Sequence, residues 1–133
     1  MSARLALAAL CAVVLAGCGG SEEAEVRATV EAYGQAFTDG DAGKACTLLT
    51  RDARRTIEAA TGERCATVMK SGLSAAGMDG RRAFGRITVE AVHVDGDTAT
   101  VKAKDPDGTI RLRKESARWR IAATNVGDTL QIK

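Results

Sequence analysis

Aromatic residues and histidine are scarce in this 133-residue sequence, which has one Trp, one Tyr, two Phe and one His. A core built from such a chain must be mostly aliphatic. Charge of one sign is not in excess either, because 19 Lys and Arg face 17 Asp and Glu for a net charge of +2. A net charge this small does not indicate a nucleic-acid partner. The motifs of phosphate-binding loops, zinc sites and serine hydrolases are also absent.

Residues 5–15 form an apolar run that is too short for a transmembrane helix, which needs about 20 residues to cross a core of ~30 Å. Arg4 precedes the run and a small-residue zone follows it, as in an export signal. The ending Leu15-Ala16-Gly17-Cys18 resembles the lipobox of bacterial lipoproteins in all four positions. In that family the cysteine thiol receives a diacylglyceryl group and the preceding chain is removed. An ordinary secretory signal with a chance cysteine is the alternative.

The lipobox resemblance implies a signal peptide at 1–17, a lipidated Cys18 with a short tether through residue 23, and one domain at 24–133. The expected location is the extracytoplasmic face of a cell membrane, to which the lipid on Cys18 anchors the chain. A diacyl anchor holds firmly because each buried methylene contributes ~0.8 kcal/mol.

Four cysteines are present in the sequence. Cys11 leaves with the signal and Cys18 is acylated, so Cys46 and Cys65 remain as an even pair in an exported domain. Such a pair indicates a disulfide, whose loop of about 20 residues is worth roughly 3 kcal/mol. Metal binding and a catalytic thiol are weaker alternatives, because no nearby histidine or third thiol completes a site. We predict no metal site and no cofactor.

The first half of the domain has helical periodicity. Ser21 can cap a first helix, in which Val26, Val30, Tyr33 and Phe37 recur on one side. Asp41 can cap a second helix, and Thr50 or Asp52 a third that Thr61-Gly62 interrupts. Residues 63–71 indicate a further helix with Cys65, Val68 and Met69 inward. Residues 72–81 contain three glycines and predict a loop that can include a turn of helix.

From Phe84 onward the apolar period changes from 3.6 to 2, which indicates strands. A bulge near Ala91 would bring the four apolar residues of the first strand to one side; these are Ile87, Val89, Val92 and Val94. Residues 95–97 and 105–108 predict turns. Inward residues of the second, third and fourth strands are Ala99, Val101 and Ala103, then Ile110 and Leu112, then Trp119, Ile121 and Ala123. Residues 130–132 can extend the end of the fourth strand. Helices followed by an antiparallel meander predict an α+β fold.

This order of elements resembles the nuclear transport factor 2-like superfamily, which has a cystatin-like cone, and in particular its small actinobacterial lipoproteins. The segments that carry the resemblance are residues 30–54, Cys65 and the sequence RWRIA at 118–122. The resemblance implies helices packed on a curved four-stranded antiparallel sheet that can enclose a pocket. Many members bind small apolar ligands, and a few are isomerases, cyclases or dehydratases. The residues expected to line such a pocket are Tyr33, Phe37, Leu48, Met69, Phe84 and Trp119; a filled core is the alternative.

Enzymes of this superfamily need an acid/base pair inside the cone. His93 is predicted to face outward, and Tyr33 lies on the apolar stripe of the first helix. Asp39 and Asp41 flank a glycine at a helix boundary, where capping explains them. General acid/base catalysis needs a positioned group with a tuned pKa, and no residue meets that requirement. We therefore predict no catalytic residue.

Basic residues alternate with apolar ones along three neighbouring predicted strands. Six of them are expected to share the outward face: Lys102, Lys104, Arg111, Arg113, Arg118 and Arg120. Like charges on adjacent strands repel one another. One interpretation is a solvated sheet surface. The other is a contact surface for anionic lipid headgroups or an acidic protein partner, with ~1 kcal/mol for each basic residue near an anionic membrane.

The sequence thus favours a membrane-anchored extracytoplasmic lipoprotein with a non-enzymatic binding or interaction domain that can hold a small apolar ligand. Two alternatives remain. One is a ketosteroid-isomerase-like or dehydratase-like enzyme that uses a buried Asp or Tyr, and the other is an accessory subunit of an envelope or transport complex. An inward ionisable pair around an open cavity would favour the enzyme, and a solid apolar interior would favour the interaction module.

Overall fold

Four helices precede a four-stranded sheet in the computed structural model, which describes residues 19–105 and 107–126. The helices are α1 (Gly19–Asp39), α2 (Ala42–Thr47), α3 (Arg51–Thr61) and α4 (Cys65–Gly85). The strands are β1 (Thr88–Asp95), β2 (Thr98–Lys104), β3 (Gly108–Glu115) and β4 (Arg118–Val126). They pair antiparallel in the order β1-β2-β3-β4. The predicted α+β class, with helices before an antiparallel meander, is confirmed. The predicted signal peptide, Cys18, Pro106 and the extension at 130–132 lie outside the described residues.

The core lies between one face of the sheet and the helices. Val26 and Val30 of α1 are completely buried, as are Val101, Ile110 and Ile121 on the facing strands. The side chains that fill this layer are mainly aliphatic, as the composition predicts. Alternation along β2 is regular, with each inward residue buried and each outward residue exposed.

Two bulges bend the sheet. In β1, Val89 pairs with Ala103 and Ala91 with Lys102, so Glu90 is the extra residue. Ile87, Val89, Val92 and Val94 consequently all pack against the core, which confirms the predicted bulge. In β4, Ala122 is the extra residue, because Leu112 pairs with Ile121 and Arg111 with Ala123. The prediction that Ala123 faces inward with Trp119 and Ile121 is therefore wrong: this second bulge leaves Ala123 exposed.

Helix α1 begins at Gly19, two residues before the predicted cap at Ser21. The expected tether is thus helical from residue 19. The two later caps lie where their side chains predict them. Asp41 Oδ1 accepts a hydrogen bond from the Lys44 amide (2.9 Å) at the start of α2, and Thr50 Oγ1 accepts one from the Ala53 amide (3.1 Å) at the start of α3.

The loop predicted at residues 72–81 is wrong, since α4 continues through it to Gly85. Of its three glycines, only Gly77 leaves the helical conformation, at φ 66° and ψ −179°, and it kinks the helix there. Leu73 is buried in the middle of the segment. Tertiary packing therefore overrides the low helix propensity of glycine at the other two positions.

Helices α1 and α4 approach closely where Gly34 faces Gly85. A methyl group on Gly34 would lie 2.8 Å from the Gly85 carbonyl oxygen, and one on Gly85 would overlap Thr38 Oγ1. Both residues are therefore glycine for reasons of space. The contact holds the C-terminal part of α4 against α1.

A disulfide and a short backbone bridge join the remaining elements. Cys46 of α2 is bonded to Cys65, the first residue of α4. Closing that loop in the unfolded chain contributes roughly 3 kcal/mol in the chain-entropy model. The Thr50 amide donates to the Ile121 carbonyl (2.8 Å), and the Ile121 amide donates to the Leu48 carbonyl (2.7 Å). This bridge covers the free edge of β4.

The close helix contact gives a testable prediction. Gly34→Ala should lower the free energy of unfolding by about 1–2 kcal/mol, because the overlap with backbone costs more than the methyl gains in helix propensity. Gly72→Ala is the matched control. It also lies in a helix, but a methyl there meets no atom within 4 Å, so it should stabilise by up to ~1 kcal/mol. Urea unfolding measures both, and stabilisation by Gly34→Ala would contradict the contact.

Candidate functional site

The six residues expected to line a pocket lie in or beside the packed interior. Tyr33 and Trp119 are buried, and Phe37, Leu48 and Met69 are half-buried against the core. The rings of Tyr33 and Phe37 meet edge to face with centroids 4.9 Å apart, and Phe37 and Phe84 are 6.2 Å apart. Phe37 thus neighbours both other rings, whereas Trp119 belongs to β4 of the sheet.

Tyr33 and His93 differ in their surroundings. Burial raises the pKa of the Tyr33 phenol to about 12, so the group stays protonated at physiological pH. His93 is exposed on the outer face of β1. Asp39 accepts a hydrogen bond from Gln35 Nε2 (2.8 Å) along α1, and Asp41 caps α2. Among residues 19–105 and 107–126, no three His, Cys, Asp or Glu side chains are grouped to hold a metal ion.

The outer face of the sheet carries the six basic residues that the alternation predicts. Five are exposed, and Arg120 is half-buried. Arg113 and Arg120 are direct cross-strand neighbours, and Arg111 is paired with Thr100 of β2. Of the six, only Lys102 forms an ion pair with a described carboxylate, that of Glu90 at 3.1 Å. We call these six residues the basic sheet face.

A charged cluster joins the start of α1 to the sheet. Glu22 Oε1 accepts a hydrogen bond from Lys114 Nζ at 2.5 Å, and Glu22 Oε2 accepts one from the Trp119 indole N–H at 3.0 Å. The same ammonium lies 5.0 Å from the centre of the Trp119 ring, within cation–π range. Hydrogen bonding by Lys114 lowers the pKa of Glu22, and the bond to Glu22 raises the pKa of Lys114.

Two grooves open on the surface around the β3–β4 turn. The larger, of about 450 Å³, lies between α3 and the β3–β4 turn. Its lining residues are Arg51, Asp52, Arg54, Arg55, Glu115, Ser116 and Arg120. The smaller, of about 290 Å³, includes Leu48 and Trp119 of the expected pocket together with Glu25 and Arg118. Arg120 borders both grooves.

Sequence reasoning missed Glu22, Lys114 and the arginines of α3. A signal for the arginines was available: Arg51, Arg54 and Arg55 stand at i, i+3 and i+4 and so share one side of a helix. Lys114 and Glu22 are 92 residues apart, and no local pattern relates them. Their pairing depends on the contact of α1 with the sheet.

Comparison with known proteins supplies no relative: the chain matches no protein family, no curated protein and no solved structure. Within the part of the chain that the structure describes, no helix combines the length and apolar character needed to cross a bilayer. The function must therefore be argued from the geometry of the surface itself.

The Glu22 cluster predicts an acid transition that the single tryptophan reports. The pKa of Glu22 lies below the 4.5 usual for glutamate, so the stability from its ion pair is full above that value. It is lost as the pH falls through the lowered pKa. Acidification from about pH 6 to about pH 3 should shift the emission of Trp119 as its indole N–H loses the carboxylate acceptor.

Glu22→Gln should abolish this step, because the amide is neutral at every pH. Glu23→Gln is the matched control, since Glu23 is the exposed neighbour on the same helix, and it should titrate like the unmodified protein. A Glu22→Gln protein with an unchanged fluorescence transition would show that another group causes it.

Proposed function

We propose that this protein is a lipoprotein anchored through Cys18 at the extracytoplasmic face of a cell membrane, with a non-enzymatic domain that contacts anionic lipid headgroups. The observation that carries the proposal is the basic sheet face. The helices pack on the other side of the sheet, and five of these six side chains are exposed to solvent. A membrane carrying phosphate groups would supply counter-charges for the residues of this face that form no ion pair with a described carboxylate.

The start of α1 supports the membrane as the partner. Gly19, where the helix begins, directly follows Cys18 in the chain. Glu22 then fixes the first turn to Lys114 and Trp119. A lipid on Cys18 would therefore hold the domain within a few ångströms of the bilayer surface, because consecutive Cα atoms are only ~3.8 Å apart. Under this proposal the basic residues near the β3–β4 turn face a nearby anionic surface; an acidic protein partner is the competing occupant.

We also propose that the fold is a nuclear transport factor 2-like cone. The order of helices and strands and the two bulges of the sheet support it. The interior favours an interaction module over an isomerase-like or dehydratase-like enzyme. Tyr33 is protonated and packs on Phe37, and no described carboxylate forms a hydrogen bond with it. Under this proposal a small apolar ligand would lie in the groove beside Leu48 and Trp119.

The anchor is tested by metabolic labelling with palmitate. The unmodified protein should incorporate label and Cys18→Ala should not, because the thiol of Cys18 is the proposed attachment point. Cys11→Ala is the matched control and should label normally, since Cys11 is removed with the signal. Equal labelling of Cys18→Ala and the unmodified protein would disprove the anchor.

The surface is tested with the unlipidated domain, from residue 19 onward, and vesicles of phosphatidylcholine with increasing phosphatidylglycerol. Affinity should rise with anionic lipid and fall with salt. Arg113→Gln should weaken binding about fivefold, the effect of ~1 kcal/mol for one basic residue near the surface. Arg64→Gln removes the same charge from an exposed position outside the basic sheet face and should change little. An affinity that does not change with phosphatidylglycerol content would exclude the lipid and favour an acidic protein as the partner.

A further inference from the structure

Four arginines converge on the larger groove from separate parts of the chain. Arg51, Arg54 and Arg55 come from the first turns of α3, and Arg120 comes from β4. Ser116 of the β3–β4 turn completes the wall together with Asp52 and Glu115. We call this site the arginine groove. It differs from the basic sheet face, with which it shares Arg120.

The arginine groove has an excess of positive charge that the protein does not neutralise. Four guanidinium groups and two carboxylates line it, which leaves two positive charges in excess. None of the four guanidinium groups forms an ion pair or a hydrogen bond with another residue that the structure describes. The Glu115 carboxylate has a backbone partner instead: its oxygens accept hydrogen bonds from the Arg51 backbone amide at 3.1 and 3.3 Å.

The walls of the arginine groove are fixed before any ligand arrives. Glu115 ties the first residue of α3 to the end of β3, and the Thr50 amide ties the α3 cap to β4 through the Ile121 carbonyl. The two-residue turn that joins the strands has positive φ angles of 49° at Ser116 and 61° at Ala117, the geometry that a tight hairpin of this kind requires.

We propose that the arginine groove binds a phosphate group. Guanidinium groups match the oxygens of phosphate in planar two-bond contacts. The volume of about 450 Å³ accommodates a phosphate with a small polar substituent. The hydroxyl of Ser116 adds a donor at the rim.

A lipid headgroup is the source that the position of the groove favours, and this part rests on the proposed function. Glu22 contacts Lys114, and the next residue of β3, Glu115, lines the groove. Gly19 is only about 5 Å of helix rise from Glu22. The lipid on Cys18 and the arginine groove would thus meet the membrane at the same end of the sheet. Free phosphate is the other source of the same chemistry.

The test is calorimetric titration of the lipidated protein in neutral detergent micelles with inorganic phosphate and, separately, with glycerophosphoglycerol, the soluble headgroup of phosphatidylglycerol. Saturable binding with a dissociation constant below about 10 mM is expected. Arg54→Gln should weaken it about tenfold, and Arg55→Gln, at an exposed position, serves as a second variant should the half-buried Arg54 be needed for folding. Arg54→Lys should recover part of the affinity, because it restores the charge without the two-bond geometry.

Two further variants separate a binding site from general charge effects. Glu115→Gln keeps an acceptor for the Arg51 amide but removes a negative charge from the arginine groove, so it should strengthen phosphate binding about fivefold. Arg64→Gln, at an exposed position outside both the arginine groove and the basic sheet face, should leave phosphate binding unchanged. No saturable binding of either probe, or equal weakening by Arg64→Gln and Arg54→Gln, would overturn the site.

The two sources and the two proposals give different results. Preference for glycerophosphoglycerol supports a headgroup, and preference for inorganic phosphate supports free phosphate as the ligand of the same site. If the phosphate-site proposal fails, Cys18 should still incorporate palmitate. Arg113→Gln should still weaken binding to anionic vesicles. If the anchor proposal fails, phosphate should still bind to the chain, whether lipidated or not. Arg54→Gln should still weaken that binding.

Discussion

Ile121 and the α2–α3 connection share two backbone hydrogen bonds on which the arrangement of helices and sheet depends. The Ile121 amide donates to Leu48 and its carbonyl accepts from Thr50, while its side chain is completely buried. A shift of β4 would therefore break the bridge and open the core together. Because Thr50 also caps α3, the same bonds place the arginines of α3 beside Arg120. Core, sheet edge and candidate site therefore meet at this one junction.

Charge serves two physical purposes in this molecule. Lys114 is partly shielded, pairs with Glu22 and stacks on Trp119, so its charge holds α1 to the sheet. The guanidinium groups of the arginine groove and most of the basic sheet face lack such partners among the described residues. An unpaired surface charge costs little in water. It remains available to an external anion, which is why the unpaired groups, rather than the paired lysine, support a binding function.

Local signals in the sequence were sufficient for most of the fold. Asp41 and Thr50 cap their helices because a short oxygen-bearing side chain satisfies the adjacent amides without help from distant residues. Alternation along β2 and the bulge in β1 follow from the need to bury one face of a sheet. The continuation of α4 could not be predicted in this way. Glycine has poor helix propensity, and the helix continues because tertiary packing buries Leu73 and holds the end of α4 against α1 at Gly34.

By itself, the sequence determined the lipobox resemblance, the order of helices and strands, and the outward position of the basic residues on the sheet. These depend on residue type and on short spacings, which a linear chain displays directly. Only the tertiary structure decided that Arg51 and Arg120 line one groove and that Glu22 reaches Lys114. The residues of each pair are far apart in the chain. Their meeting is set by how the core packs and how the edge of β4 is closed. No local sequence pattern encodes a contact between residues so far apart in the chain.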